Sequence, residues 1–156
     1  MAVAGSETTA TLLAGVTYYM LKTPATMRKA VQEVRTAFTR EEDISFTSAS
    51  TKLPYMLACL EEGLRTYPPV PTLLLRETPV TEMSTIDGYV VPPNTNVGVH
   101  QLSANYSPQN FKEPDFFVPE RWLPETINDS SSPFHNDNRE ARQPFSVGPR
   151  NCIGKR

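Results

Sequence analysis

Apolar residues recur every three to four positions through the first 65 residues, and that rhythm breaks down after Pro68. Met1 to Leu21 reads as a helix already under way, because Met1 to Gly5 holds no capping residue ahead of an apolar period. Thr23-Pro24 then predicts an N-cap followed by proline at the first helical position. Met27, Ala30, Val31, Val34 and Phe38 follow at helical spacing, with Arg28, Lys29, Gln32, Glu33 and Arg35 between them. They predict an amphipathic helix of about four turns. Lys52 to Arg65 is the third predicted helix; Leu53, Met56, Leu57, Leu60 and Leu64 form its apolar stripe, and Pro68-Pro69 stops it.

Thirteen of the 15 prolines lie from Pro68 onward, so the remainder is expected as short strands and irregular loops. Thr72 to Glu77 and Asn96 to His100 read as strands, and Ile86-Asp87-Gly88-Tyr89 is a hairpin turn signal between Thr85 and Val91. Phe111 to Gln143 reads mostly as loop, with Ser130 to Asn138 its polar, mobile stretch. A loop that long in a compact domain is usually functional. Helices followed by clustered strands predict a mainly α chain with small β elements, α+β in class.

Composition narrows the function classes. Hydrophobic residues at 38% and charged residues at 21% describe a globular chain, and 156 residues fit one domain. A net charge of -2 gives no reason to expect a nucleic-acid partner. Cys59 and Cys152 are far apart and allow at most one disulfide, too few for a stapled secreted scaffold. No signal peptide or membrane span is predicted: Met1 is not followed by a basic region, and the weakly polar run Ala10 to Leu21 is about twelve residues, too short for a bilayer.

The strongest chemical signal is Phe145-Ser146-Val147-Gly148-Pro149-Arg150-Asn151-Cys152-Ile153-Gly154. Gly148 lets the backbone turn where a side chain would obstruct it, and Gly154 allows a flat ligand to come close. Arg150 offers five donors to an anion. Cys152, in a turn with free backbone N–H groups and a cation nearby, can exist as a thiolate, and Phe145 can shield the sulfur. The plainer alternative is a buried structural cysteine. Glu62-Gly63-Leu64-Arg65 places an acid and a base three apart on one helical face, which alone describes an ordinary surface ion pair. Pro119-Glu120-Arg121-Trp122 and Ala4-Gly5-Ser6-Glu7-Thr8-Thr9 complete the set.

In their order along the chain the four segments resemble the cytochrome P-450 superfamily, the haem-thiolate monooxygenases. The resemblance covers essentially the whole chain and implies the C-terminal part of that fold, incomplete at both ends. It divides 1–156, a partial haem-binding domain, into an oxygen-side helix at 1–21, a Glu-x-x-Arg helix at 52–65, a meander-like loop at 111–143 and a Cys-ligand loop at 144–156. It makes Cys152 the axial ligand of haem iron. It implies that Arg76 and Arg150 pair with haem propionates, although Arg76 alone reads equally as an edge-strand surface charge. Phe145, Gly148, Gly154 and Gly5 would shape the haem site, with Gly5 leaving room for oxygen. Thr8 and Glu7 would assist proton delivery, and Glu62, Arg65 and Arg121 would form a buried triad that is structural, not catalytic. Neither His100 nor His135 is needed as a ligand; His135 is expected to be solvated, and Cys59 only to pack.

The implied activity inserts one oxygen atom of O2 into a small organic substrate, with electrons from an NADPH-dependent reductase. The wording around Asn110 to Pro114 is similar to fungal members that act in secondary-metabolite biosynthesis. Such proteins are usually anchored to the endoplasmic reticulum membrane by an N-terminal helix not seen here. A second expectation stands beside the first. The chain starts inside the oxygen-side helix and stops four residues after Cys152, which fits a truncated, catalytically inactive remnant that binds haem weakly or not at all.

Overall fold

Helix α4 (Pro54–Thr66) is the element on which the others are assembled. The structure is a computed structural model and describes residues 2–155; Met1, where the first predicted helix begins, and Arg156, the end of the predicted Cys-ligand loop, lie outside them. Helices α1 (Ala2–Lys22) and α2 (Pro24–Ala37) both pack against α4. The core between them is Val16, Met20, Ala30, Tyr55 and Cys59, closed by Phe117 from the long loop. Gly63 is what lets α1 lie so close. A Cβ there would stand 2.2 Å from the Val16 Cγ2, a distance no packing tolerates.

The third predicted helix begins two residues later than expected, at Pro54. Proline disfavours helical dihedrals in the residue before it, and Leu53 sits at φ -119° and ψ 58°. It ends a separate short helix, α3 (Phe46–Lys52), which the apolar rhythm does not predict. Ser45 and Ser48 start α3 with a reciprocal capping box. Thr23 is the N-cap of α2 and Pro24 its first helical residue, as expected, although the Thr23 side chain makes no capping hydrogen bond.

The β elements are two small antiparallel pairs. Strand β1 (Arg76–Glu77) pairs with β4 (Asn96–Val97), Arg76 opposite Val97, and an isolated bridge joins Leu73 to His100. The predicted strand from Thr72 shrinks to two residues because Leu74 and Leu75 are exposed and belong to neither pair. Strands β2 (Ser84–Ile86) and β3 (Tyr89–Val91) form the predicted hairpin. Asp87 at φ 49° and Gly88 at φ 81° give it a turn of the left-handed kind that matches strand twist. After β4 comes an unpredicted helix, α5 (Gln101–Tyr106), whose N-cap is the His100 Nδ1, accepting from the Ser103 N–H.

The long loop is largely pinned. It contains a 3-10 turn at Pro119–Trp122, a short helix α6 (Pro124–Asn128) and a second 3-10 turn at Arg139–Ala141. The Ser130 to Asn138 stretch, expected to be polar and mobile, carries a buried acid, Asp137. Arg139 ties its backbone down by donating to the carbonyls of Phe134, His135 and Asp137. His135 is half-buried, with its Nδ1 2.9 Å from the Ile127 carbonyl oxygen, and not simply solvated. Among the described residues no helix is long and apolar enough to cross a membrane.

Candidate functional site

Glu62 and Arg65 lie one turn apart on the face of α4 that the long loop covers, and neither side chain is exposed at all. Arg65 clamps Glu62 with two parallel bonds, Nε to Oε2 at 2.9 Å and Nη2 to Oε1 at 2.8 Å. Its remaining donors hold the backbone carbonyls of Asn105, Pro114 and Phe116 at 2.7–2.9 Å. Arg121 comes in from the 3-10 turn and donates from Nε to Glu62 Oε1 at 3.2 Å. Trp122 Nε1 and the Val118 N–H complete the carboxylate. Glu62, Arg65 and Arg121 are therefore in direct contact, and every polar atom of Glu62 is engaged.

Two guanidiniums around one carboxylate would leave a net positive charge in a dry interior, which is costly. Asp137 removes it. Its Oδ2 takes a short hydrogen bond from Arg121 Nη1, and its Oδ1 accepts the Lys112 N–H at 2.7 Å. The cluster is thus four residues with no net charge. Sequence reasoning missed Asp137, because nothing in a lone acid within a polar stretch signals a partner 16 residues earlier.

A second carboxylate links the neighbouring elements. Glu120 accepts from Lys29 Nζ on α2 at 2.6 Å and from the Tyr55 hydroxyl on α4 at 3.0 Å. Burial acts to push its carboxyl up, but the hydrogen bonds from Lys29, its own backbone and Tyr55 outweigh that and hold it below the usual carboxylate range. Close by, burial pushes the Cys59 thiol up to about 12, with Glu120, Glu33 and Glu62 adding to the effect. Cys59 is a packed, unreactive sulfur.

Cys152 is the opposite: its residue is exposed. The loop carrying it is closed by its own backbone. The Cys152 N–H donates to the Phe145 carbonyl at 2.8 Å, and the Asn151 N–H to Gly148 at 3.0 Å. The expectation of free N–H groups around the sulfur is corrected for Cys152 itself, since its amide is used to close the loop. Gly148 is at φ 80°, the left-handed region that glycine adopts without cost. At Gly154 a Cβ would meet the Cys152 Sγ at 3.6 Å, ordinary contact, so the sulfur alone does not demand glycine there. Phe145 is half-buried, and Arg150 is exposed.

Beside this loop lies a cleft of about 610 Å³, within the usual range for small-molecule sites. Leu74, Val97, Val99 and Val147 give it an apolar wall, and Arg76 gives it a cation. Arg76 Nη2 also donates to the Ser146 hydroxyl at 3.2 Å, tying β1 to the Cys loop. Cys152 is not on the cleft wall, but Ser146 and Val147 of its loop are. A thiol at an exposed loop tip, a guanidinium on an adjoining apolar wall and a second guanidinium at Arg150 suit a flat apolar macrocycle bearing carboxylates. The donor set therefore fits haem.

The first turns of α1 lie outside the packed core. The helix packs through its later turns, Leu12 to Met20, while a Cβ on Gly5 would meet nothing within 4 Å. Glu7 is exposed; Thr8 is half-buried and its hydroxyl donates to the Ala4 carbonyl at 2.6 Å, the usual helical back-bond. Among the described residues no hydrogen bond joins Glu7 or Thr8 to the Cys loop.

The chain matches a known family and several curated relatives. The family model described as Cytochrome P450 matches residues 1–156. The chain is 57% identical, over 97% of its length, to a trichothecene C-4 hydroxylase of Trichoderma arundinaceum, of which it covers 30%. It is 56% identical, over 99% of its length, to the cytochrome P450 monooxygenase olcB of Penicillium canescens, covering 31% of it. With the cytochrome P450 monooxygenase efuB of Hormonema carpetanum the identity is 49% over 97% of the chain and 29% of the relative. The chain spans about 30% of the length of the curated relatives it matches.

Proposed function

The chain belongs to the cytochrome P450 family, and from that premise we propose that it supplies the iron-ligating part of a fungal haem-thiolate monooxygenase. Haem, when bound, would supply the oxygen chemistry, and a thiolate ligand would favour O–O cleavage. The observation that carries the reading is the contrast between the two cysteines. Cys59 is sealed in the core, whereas Cys152 is presented on a backbone-closed loop whose flank forms the wall of the cleft.

In this reading Cys152 Sγ ligates the iron. Arg76, which donates to the Ser146 hydroxyl, and Arg150 would hold the propionates. With haem bound, Phe145 would shield the sulfur from water, and Gly148, Gly154 and Gly5 would leave room for the macrocycle and for oxygen. Thr8, whose hydrogen is spent on Ala4, keeps its lone pairs to accept a hydrogen bond on the oxygen side. Glu7, exposed and one residue earlier, is the acid that would assist proton delivery. Electrons come from an NADPH-dependent reductase, and the substrate is a small organic molecule of secondary metabolism. That class rests on the high identity to fungal relatives, among them the trichothecene hydroxylase.

A carbon-monoxide difference spectrum on the haem-reconstituted chain tests the ligand assignment. The expected result is a thiolate-type Soret shift in the wild type that is absent in Cys152→Ala. Retention of that shift in Cys152→Ala overturns it.

A further inference from the structure

The segment that enters the Cys loop is held by side chains to which the family reading assigns no role. Arg142 lies three residues before Phe145, and its side chain is only 11% exposed. One face of its guanidinium stacks on the Trp122 indole, 4.4 Å from the ring centre. Its Nη2 bonds the Glu61 carboxylate on α4, while Nε and Nη1 are buried without a protein partner. An arginine stays charged, and leaving two of its donors unmade costs free energy. The stacking and the Glu61 pair must offset that cost. The same indole donates to Glu62, so Arg142 rests directly on the ion cluster.

A second arm reaches the same segment from α5. Gln101 Oε1 accepts the Gln143 N–H at 3.1 Å, and its Nε2 donates to the Ala141 carbonyl at 3.3 Å and to Asn105 Oδ1 at 3.0 Å. Asn105 is fully buried and exchanges two bonds with Arg65: its Nδ2 donates to the Arg65 carbonyl, and its own carbonyl accepts from Arg65 Nη1, both at 2.9 Å. Residues 141–143 are therefore gripped from two sides, and both grips end on the Glu62–Arg65 pair. Gln143 in turn starts the Cys loop, because its carbonyl accepts the Ser146 N–H.

We propose that Arg142 and Gln101 are positioning residues that seat the Cys152 loop on the buried ion cluster. The proposal deepens the ligand reading and rests on it for its chemical purpose, but the seating itself is decided without haem. Hydrogen exchange on the intact, haem-free chain reads it at the Ser146, Asn151 and Cys152 amides, all of them hydrogen-bonded within the loop. Arg142→Met keeps the packing on Trp122 and removes the pair with Glu61. Those three amides are expected to exchange about tenfold faster, while the α4 amides keep their rates, because local opening is separate from global unfolding. Arg142→Lys restores the pair and is expected to recover most of the protection.

Gln101→Ala, which removes no charge, is expected to give the same loop-specific change and decides the matter if Arg142→Met does not fold. Unchanged loop amides in Gln101→Ala, or equal acceleration of loop and α4, overturn the proposal. With haem added, both variants are expected to lower the share of thiolate-type carbon-monoxide complex. A wild type with no such complex overturns the ligand reading and leaves the exchange result standing.

Discussion

Two parts of this molecule use charge and sulfur in opposite ways. Under α4, Glu62, Arg65, Arg121 and Asp137 are almost wholly removed from water and saturate one another's hydrogen bonds. Ten to fifteen residues further along the chain, Arg150 and Cys152 sit on an exposed loop closed by a few backbone bonds. Buried charges tolerate no loss of a partner, whereas an exposed loop residue can change with little effect on folding. The contrast assigns stability to the first region, leaves the second free for the proposed chemistry, and puts Arg142 and Gln101 at the joint between them.

Removing one acid from the cluster is the hardest test of that division. Glu62→Gln leaves two guanidiniums facing a single carboxylate, and a broken buried pair costs about 3–5 kcal/mol. Urea titration is expected to show a loss of that size, or a chain with no cooperative transition. A variant as stable as the wild type would mean that the cluster anchors nothing. Gly63→Ala addresses the packing that brings α1 onto α4. Its new methyl group collides with Val16, and overpacking of this kind costs about 1–3 kcal/mol. A midpoint shift in the same titration measures it.

Acid titration sharpens the comparison within the anchored region. The Glu120 carboxyl is held low in the folded chain, chiefly by Lys29 against the opposing effect of burial. Its contribution to stability is therefore present above the unfolded carboxyl value, about 4.3, and is lost as pH falls through the lower folded one. Lys29→Met is expected to flatten the stability-versus-pH slope below about pH 4, by less than about 1 kcal/mol for so exposed a pair. An unchanged slope would remove Glu120 from the account. A gain in place of a loss is expected at Gly5, where a Cβ meets nothing. Gly5→Ala should stabilise the chain by up to about 1 kcal/mol through helix propensity alone, and a loss of stability would show that the start of α1 is packed after all.

How much of this was legible in the sequence follows from the range of each interaction. The Glu62–Arg65 contact lies within one helical turn, and the Asp87-Gly88 turn is local chemistry, so both can be read from spacing. Helices α3 and α5 are short and lack an apolar rhythm; side-chain caps at Ser45 and His100 start them, and propensity does not reveal those. Lys52 to Arg65 reads as one helix because its apolar stripe runs on through Leu53, although Pro54 breaks the backbone there. Asp137, Glu61 and Gln101 were invisible because their partners lie 16, 81 and 40 to 42 residues away. Only the folded chain brings such pairs together.

The central claim is that Cys152 serves chemistry and not the fold. The thermal midpoint of Cys152→Ala, measured beside that of Glu62→Gln, tests it most directly. An exposed side chain that anchors nothing changes stability by no more than about 0.5 kcal/mol, or roughly 2 °C in Tm for a chain of this size. The account predicts a shift within that limit for Cys152→Ala and a large fall for Glu62→Gln. A fall in Cys152→Ala comparable to that of Glu62→Gln would contradict it.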